Sequence, residues 1–235
     1  MRYSKILLAL AVMAVLAMAV SANPNGATVT AGTPETGTAS TAGTVLAQGG
    51  NITEINLTVE SITQRWQGYY GEVSGNITLE NAAGDLFYRW NVGTVTGEVY
   101  ATQDSSAPIW GGISGDDVTA ADLDTVIGWS DGADNATNTF TADSNLAIDI
   151  MGSVTGASTR DAVYTYTNST AGTDWQTILL RDGSGTAITD YVFATFINAD
   201  QDAFNSATAD FQLLVPEDHT DGSGSTTYYF YVELS

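Results

Sequence analysis

The sequence predicts an all-β protein, an antiparallel β-sandwich or jelly roll of about ten strands with one short helix. Two observations predict it. Apolar and polar side chains alternate with a period of two rather than 3.6 in several segments after position 50. Short clusters rich in Gly, Asp and Asn separate those segments, as turns do.

Residues 1–22 are predicted to be a secretory signal peptide. Arg2 and Lys5 precede an uncharged apolar run at residues 6–20, and small residues end the segment at Ala22. As a helix the run would span about 22 Å, short of a hydrocarbon core of about 30 Å. We therefore expect cleavage after Ala22 and no membrane span afterwards, with a retained N-terminal anchor as the alternative.

Residues 23–50 are predicted to be a flexible stalk. The segment is rich in Thr, Gly and Ala, carries the single charge of Glu35, and offers nothing that packs a core. Its threonines are candidates for O-linked sugar. The remaining residues, 51–235, have the size of one domain and are assigned to the β-sandwich.

The first strands of the domain are predicted from strict alternation. Residues 55–59 alternate Ile, Leu and Val with polar residues, and residues 69–79 continue the pattern for a longer strand. After a turn at residues 81–85, residues 86–92 alternate again, which predicts a hairpin with one face in the core and one in water.

Later elements follow from shorter runs. One helix is predicted over Ala120–Ile127, with Thr119 as its N-cap and Asp122 three residues on. The further strands are predicted at residues 97–102, 146–151, 162–167, 175–181, 191–197, 210–214 and 226–234.

The charge balance excludes two classes of partner. The chain has 27 acidic and six basic residues and a formal net charge of −21; after residue 22 four arginines face all 27 acids, which leaves −23. Such a field repels nucleic acid and anionic lipid. The excess of Asp over Glu, the absence of Lys after residue 22 and the absence of Cys indicate a halophilic, secreted protein without disulfides.

Two segments carry a resemblance. WQGYYGEVSGNITLENAAGDLFYRWNV at residues 66–92 and DFQLLVPEDHTDGSGSTTYYFYVEL at residues 210–234 resemble a recurrent group of secreted archaeal β-sandwich surface proteins of uncharacterised function. The resemblance implies an archaeal cell-surface origin and brings no catalytic residue with it.

Sequons of the form Asn-x-Ser/Thr predict N-glycosylation of the secreted chain. They lie at Asn51, Asn56, Asn76, Asn135 and Asn168. Asn56 and Asn76 fall on the polar phase of predicted strands, where a sugar leaves the core undisturbed.

Acidic clusters raise a calcium hypothesis. Asn198, Asp200 and Asp202 have the spacing that begins an EF-hand loop, but Ala203 stands where the loop requires glycine. The acids around the predicted helix are better explained as helix-start and turn carboxylates. No other cofactor is expected, and a solvated acidic surface is the alternative for all of these residues.

An enzyme is not expected. His219 is the single histidine, and the chain has no G-x-S-x-G, H-E-x-x-H or P-loop motif. A pair of glycosidase-type carboxylates is uninformative among so many acids. Trp110, flanked by Pro108 and Gly111, is the aromatic residue expected in a loop and the candidate for binding a sugar. Most of the other tryptophans are expected in the core.

Three functions are therefore open. The first is a secreted, acidic, glycosylated surface protein that acts by contact with itself, other surface proteins or glycans. The second is a subunit of an extracellular filament, in which residues 28–29 or 44–46 of the stalk add a strand to a neighbour. The third is a carbohydrate-binding module. Residues 226–234, bulky on both faces, fit a filament contact or a buried central strand.

Overall fold

The computed structural model of the chain describes residues 23–116, 118–144, 148–151, 153–155, 160–183, 185–218 and 224–235. The expected signal peptide and His219 lie outside the described residues. The fold is all-β with antiparallel pairing, as predicted. The strands are β1 (Asn25–Gly26), β2 (Trp66–Gly71), β3 (Asn76–Glu80), β4 (Leu86–Asn91), β5 (Gly97–Thr102), β6 (Ile113–Ser114), β7 (Ala142–Ser144), β8 (Ile148–Ile150), β9 (Ser153–Thr155), β10 (Arg160–Thr167), β11 (Thr170–Asp182), β12 (Tyr191–Phe196), β13 (Gln201–Asp202), β14 (Thr208–Ala209), β15 (Phe211–Pro216) and β16 (Tyr229–Leu234).

The main sheet has the strand order β1-β16-β5-β12-β11-β10-β7, and β6 pairs with the C-terminal end of β11. Its register is continuous through the centre, where Ile178 lies opposite Ala194, Ala194 opposite Tyr100, and Tyr100 opposite Tyr231. β5 and β12 are buried on both faces along most of their length. The largely apolar sequence of β12 and the apolar residues 99–101 of β5 reflect that burial.

A second layer covers one face of the main sheet. β15 pairs with β2 over six positions, and Leu213 and Val215 of β15 are buried against Leu179 and Phe193 of the main sheet. The helix α1 (Ala120–Ile127) adds Leu123 to the same apolar cluster. Burial of each such side chain contributes roughly 1.5–3 kcal/mol. The two layers make the antiparallel β-sandwich expected from the sequence.

The opposite face of the main sheet carries a second cluster. Ile148 and Ile150 of β8 are buried there beside Tyr100, together with Ile113 of β6. Trp110, in a short 3₁₀ turn (Trp110–Gly112), packs against the rim of this cluster. The main sheet is therefore covered on both faces.

The predicted helix is confirmed at the predicted residues. Thr119 Oγ1 accepts a hydrogen bond from the Asp122 amide (3.2 Å), and the Asp122 carboxylate accepts one from the Thr119 amide (2.9 Å). This reciprocal pair is a capping box. Gly128, with φ of 84°, ends the helix in the left-handed conformation that glycine adopts without strain. A single-turn helix, α2 (Ala136–Thr139), follows. None of the described helices has the length and hydropathy that a membrane crossing needs.

Two predicted strands differ in the structure. Residues 69–79 were expected as one strand, but β2 ends at Gly71 and β3 begins at Asn76. The chain turns away between them because Asp210 Oδ2 accepts the Val73 amide (2.7 Å). Gly75 also approaches Leu234 so closely that a Cβ would lie 2.7 Å from its Cδ1. Residues 55–59 form no strand in the described structure, because no other segment pairs with them.

The start of the predicted stalk is part of the main sheet. Pro24 is buried, Asn25 lies opposite Val232, and the Ala27 amide donates to the Phe230 carbonyl (2.9 Å). A two-residue strand has no periodicity to read, so the sequence did not indicate it. The chain then leaves the main sheet, and its next strand, β2, belongs to the second layer.

Candidate interface formed by an arm and a hairpin

Residues 27–64, which we call the arm, leave the body and return to it without entering a strand. All of them are exposed. The chain reverses at a turn in which the Asn51 amide donates to the Gln48 carbonyl (3.3 Å) and Gly50 has a φ of 86°. We call the part of the arm before this turn the first limb and the part after it the second limb. The two limbs approach each other at Gly37, where a Cβ would lie 3.1 Å from Ile62 Cδ1.

Both ends of the arm are fixed to the body. Its first end follows β1, which pairs with β16. At its second end Thr63 Oγ1 donates to Asp134 Oδ2 (2.7 Å), and the Arg65 guanidinium pairs with Asp134 Oδ1 (3.1 Å). The Trp66 indole N–H donates to the Asp134 carbonyl (2.7 Å). The arm is therefore a projection between two anchored ends rather than a free terminus.

The second limb of the arm exposes an alternating apolar row. Ile55, Leu57 and Val59 are 52%, 89% and 79% exposed. In an extended chain these three side chains share one face, and Glu54, Asn56, Thr58 and Glu60 share the other. The limb thus has the alternating pattern of a half-buried strand, but it forms no strand and its apolar side chains are exposed.

The hairpin of β3 and β4 is the second exposed apolar structure. Asn81 closes its turn, since Asn81 Oδ1 accepts the amides of Ala83 (3.0 Å) and Asp85 (2.9 Å). Gly84, with φ of 83°, takes the left-handed position. The predicted hairpin is confirmed, but β3 and β4 pair only with each other among the described strands.

One face of this hairpin was expected in the core and is instead half exposed. Ile77 lies opposite Trp90 and Leu79 opposite Tyr88. Leu79, Tyr88 and Trp90 are 50%, 56% and 48% exposed, and the Tyr88 and Trp90 rings meet edge to face at 4.9 Å. The expectation that Trp90 fills the core is wrong, because no described layer covers this face.

The other face of the hairpin carries Arg89, and the exposed Phe87 stands two positions before it on β4. Arg89 lies opposite Thr78 and is exposed. Within the described part of the chain, no hydrogen bond or ion pair involves its guanidinium. By contrast, Arg65 pairs with Asp134 and Arg160 is fully buried.

The sequons fall into two groups. Asn51, Asn56 and Asn76 are exposed, on the arm and at the start of the hairpin. Asn135 caps α2, accepting the Asn138 amide at 2.8 Å, and Asn168 donates its side-chain amide to Asp202 Oδ2 at 3.0 Å. Asn168 is also exposed, so Asn135, which is partly buried and caps a helix, is the sequon asparagine least accessible to a glycosyltransferase.

The three residues of the calcium hypothesis take separate roles in the fold. The Asp202 carboxylate accepts the Asn168 side chain, the Asn198 amide reaches the Asp174 carbonyl (3.5 Å), and the Asp200 amide donates to Asp210 (2.9 Å). Among the described residues, no three His, Cys, Asp or Glu side chains group as a metal site would require. Calcium binding at these residues stays a prediction.

Trp110 is half buried rather than free in a loop. Its ring lies 5.1 Å from that of Tyr100 and 5.2 Å from that of Tyr231. Much of its surface is thus used in packing on the main sheet. Sugar binding by Trp110 stays a prediction, with only part of the ring available to stack.

A shallow depression between α1 and α2 contains Asp124, but its carboxylate is already engaged. Asp124 Oδ1 accepts the Ala136 amide (2.6 Å), and Oδ2 accepts the amide (2.9 Å) and hydroxyl (2.7 Å) of Thr137. This arrangement agrees with the interpretation of the local acids as helix and turn carboxylates. It offers no free base for chemistry.

Tyr228 is a partly buried tyrosine that packs against the apolar cluster between the two layers. Burial raises the pKa of Tyr228 well above its usual value. Tyr228 Oη donates to the Pro216 carbonyl (2.7 Å) and accepts from the Gln103 side chain (3.1 Å). It therefore joins β15 to the segment before β16 as a neutral hydroxyl.

Asp134, Asp210 and Arg89 have roles in this structure that were not predicted from the sequence. A signal existed for Arg89, since one of only four arginines after residue 22 stands on the polar phase of a strand. No signal existed for the two aspartates, whose partners are distant in the chain.

Comparison with protein-family models, with curated proteins and with solved structures found no match.

Proposed function

We propose that the protein is a secreted, acidic structural protein of the cell surface or extracellular matrix, and that copies of it assemble through the arm. The observation that carries the proposal is the alternating apolar row of the second limb, exposed in the monomer. Strand addition joins subunits by main-chain hydrogen bonds and by side chains that enter alternate pockets. The arm has the length, the pattern and the missing partner that such a donor needs.

The charge and the chemistry of the chain support a contact function. After residue 22, four arginines against 27 acids leave a net charge of −23, which keeps the copies soluble and disfavours nucleic acid and anionic membranes as partners. The Asp122 and Asp124 carboxylates near the helices accept backbone amides at the starts of α1 and α2. The proposal also includes the signal peptide, the glycans and the archaeal origin, which are expected from the sequence.

The reach of the arm suits a contact between neighbours. From its turn at Asn51 to its anchor at Thr63 the second limb can extend to roughly 45 Å. That distance exceeds the diameter of a small domain, so the limb can cross to another copy while its base stays fixed. Head-to-tail contacts of this kind give filaments when the rotation does not close into a ring.

The test compares the mature chain, residues 23–235, with two triple variants in molar KCl. Replacement of Ile55, Leu57 and Val59 by Ser removes three branched side chains, each contributing about 1.5–3 kcal/mol when buried. We expect light scattering and negative-stain microscopy to show regular assemblies for the wild type and monomers for this variant.

The matched control replaces Thr36, Thr38 and Thr41 by Ser, which alters the first limb without touching an apolar position. We expect it to assemble like the wild type. A wild-type chain that stays monomeric at high concentration would contradict the proposal. Assemblies that survive the loss of the apolar row would show that they form by another surface.

A further inference from the structure

We infer that the arm's acceptor is the open edge of β4 on a second copy of the chain, so that residues 55–59 become the third strand of the neighbour's hairpin. This inference rests on the proposed assembly function and assigns its contact. Two isolated strands are marginally stable in water, and a third strand with an apolar face is what such a hairpin lacks.

The hairpin is the acceptor that matches the arm's pattern. Among the described strands, nothing pairs with either outer edge of the hairpin, and its apolar face is about half exposed. The β16 edge of the main sheet is already occupied in part by β1. A strand added beside the hairpin would place Ile55, Leu57 and Val59 next to Tyr88 and Trp90 as one continuous apolar row.

The charged residues of the limb then lie on the same face as Arg89. If the three apolar side chains of the limb lie on the face of Trp90, then Glu54, Asn56, Thr58 and Glu60 lie on the face of Arg89. The exposed guanidinium of Arg89, which has no described partner, would lie opposite Asn56 or Thr58 and would reach Glu54 or Glu60 diagonally across the new strand pair.

Charge also selects β4 over β3. The outer edge of β3 carries Glu80, and a limb with Glu54 and Glu60 would place like charges together there. The β4 edge instead carries Arg89. In a chain with 27 acids, an exposed arginine without a described partner is the feature that distinguishes one edge of the hairpin from the other.

The donor and the acceptor belong to different copies. Within one chain only β2 and a short connection separate the limb from the hairpin, yet the structure leaves the two unpaired. Residues 63–66 are held at Asp134, and β2 is paired with β15 along its whole length. These constraints direct the limb away from its own hairpin.

Cysteine pairs test the contact directly, because the native chain contains no cysteine. Full mature chains carrying Leu57→Cys are mixed with chains carrying Tyr88→Cys or Trp90→Cys, then oxidised in molar KCl. A disulfide needs Cα atoms within about 4.4–6.8 Å, which adjacent strands provide and second neighbours do not. We expect a disulfide-linked heterodimer on a non-reducing gel with Tyr88→Cys, Trp90→Cys or both.

Two matched partners give the controls. Leu79→Cys lies on the same apolar face but on β3, and Tyr166→Cys lies on β10, where the native side chain is 55% exposed. We expect at least tenfold less heterodimer with either. Equal or greater linkage to Leu79→Cys would move the contact to β3 and overturn the inference, and equal linkage to Tyr166→Cys would make the contact nonspecific.

The same chains separate this inference from the proposed function. Regular assemblies without linkage to β4 would refute the assigned edge and leave assembly standing, whereas an absence of assemblies would refute both. A double variant, Leu57→Cys with Tyr88→Cys in one chain, adds a further test. If it oxidises to a compact monomer at high dilution, the limb folds onto its own hairpin and the second-copy assignment is wrong.

Discussion

Replacing Asp124 with alanine removes a carboxylate that joins two helices. Asp124 is 7% exposed in α1, and its two oxygens accept hydrogen bonds from the first residues of α2 at 2.6, 2.9 and 2.7 Å. The negative charge also lies at the N-terminus of α2, where backbone amides have no partner within the helix. The substitution leaves the buried Ala136 amide without an acceptor.

The expected loss of stability follows from those contacts. A hydrogen bond to a charged group contributes about 1.5–3 kcal/mol, and a buried amide left unpaired costs about 1–3 kcal/mol. Thr137 is exposed, so water replaces its two bonds at little cost. The free energy of unfolding of Asp124→Ala should therefore fall by about 2–4 kcal/mol.

Urea unfolding in molar KCl measures this change while salt screens the net charge of the chain. With a slope of about 1–3 kcal/mol per molar urea, the midpoint should fall by about 1 M or more. The control is Asp131→Ala, which removes an exposed carboxylate with one weak contact, Ser130 Oγ at 3.4 Å. If Asp124→Ala unfolds within about 0.5 kcal/mol of Asp131→Ala, the structural role assigned to Asp124 is wrong.

The other predictions concern salt, pH, glycans and the interface. The melting temperature of the mature chain should rise by about 10 °C or more between 0.1 M and 3 M KCl as charge repulsion is screened, and an unchanged value would contradict the halophilic interpretation. Above pH 10 the unfolded chain deprotonates Tyr228 while burial, by raising its pKa, keeps the folded chain protonated, so stability should fall with rising pH by up to about 1.4 kcal/mol per unit for this group. Tyr228→Phe should decline less steeply in melts between pH 9 and 11. In protein from a glycosylating host, peptide mass spectrometry should find sugar on Asn56 and Asn76 more often than on Asn135, whose side chain caps a helix. Arg89→Glu should raise the concentration at which light scattering detects assembly, and no change would remove Arg89 from the contact.

Local patterns carried the parts of the fold that could be predicted. α1 was predicted to the residue because its cap, apolar spacing and terminal glycine all lie within ten neighbouring positions. β5 was also predicted at its observed limits, Gly97–Thr102. In both cases the information that specifies the element is contained in the element.

The parts that could not be predicted depend on distant residues. β1 exists because Asn25 and Gly26 meet β16 some two hundred residues later, and nothing in their own sequence indicates it. The break between β2 and β3 depends on Asp210, which binds the Val73 amide. The role of Asp134 depends likewise on Thr63 and Arg65, so it looked like one more surface acid in the sequence.

The failed strand at residues 55–59 has a different cause. Its alternation is as regular as that of β3, which does form a strand, so the pattern was read correctly and the partner was missing. An alternation with a period of two indicates that one face of the strand is buried. It does not indicate which chain buries that face. The hairpin shows the same mismatch, since Tyr88 and Trp90 stand in the apolar phase and are half exposed. Residues 55–59 and the hairpin of β3 and β4 both alternate with a period of two, and each leaves its apolar face exposed in the monomer. This shared exposure is the physical reason to place the missing partner in another copy.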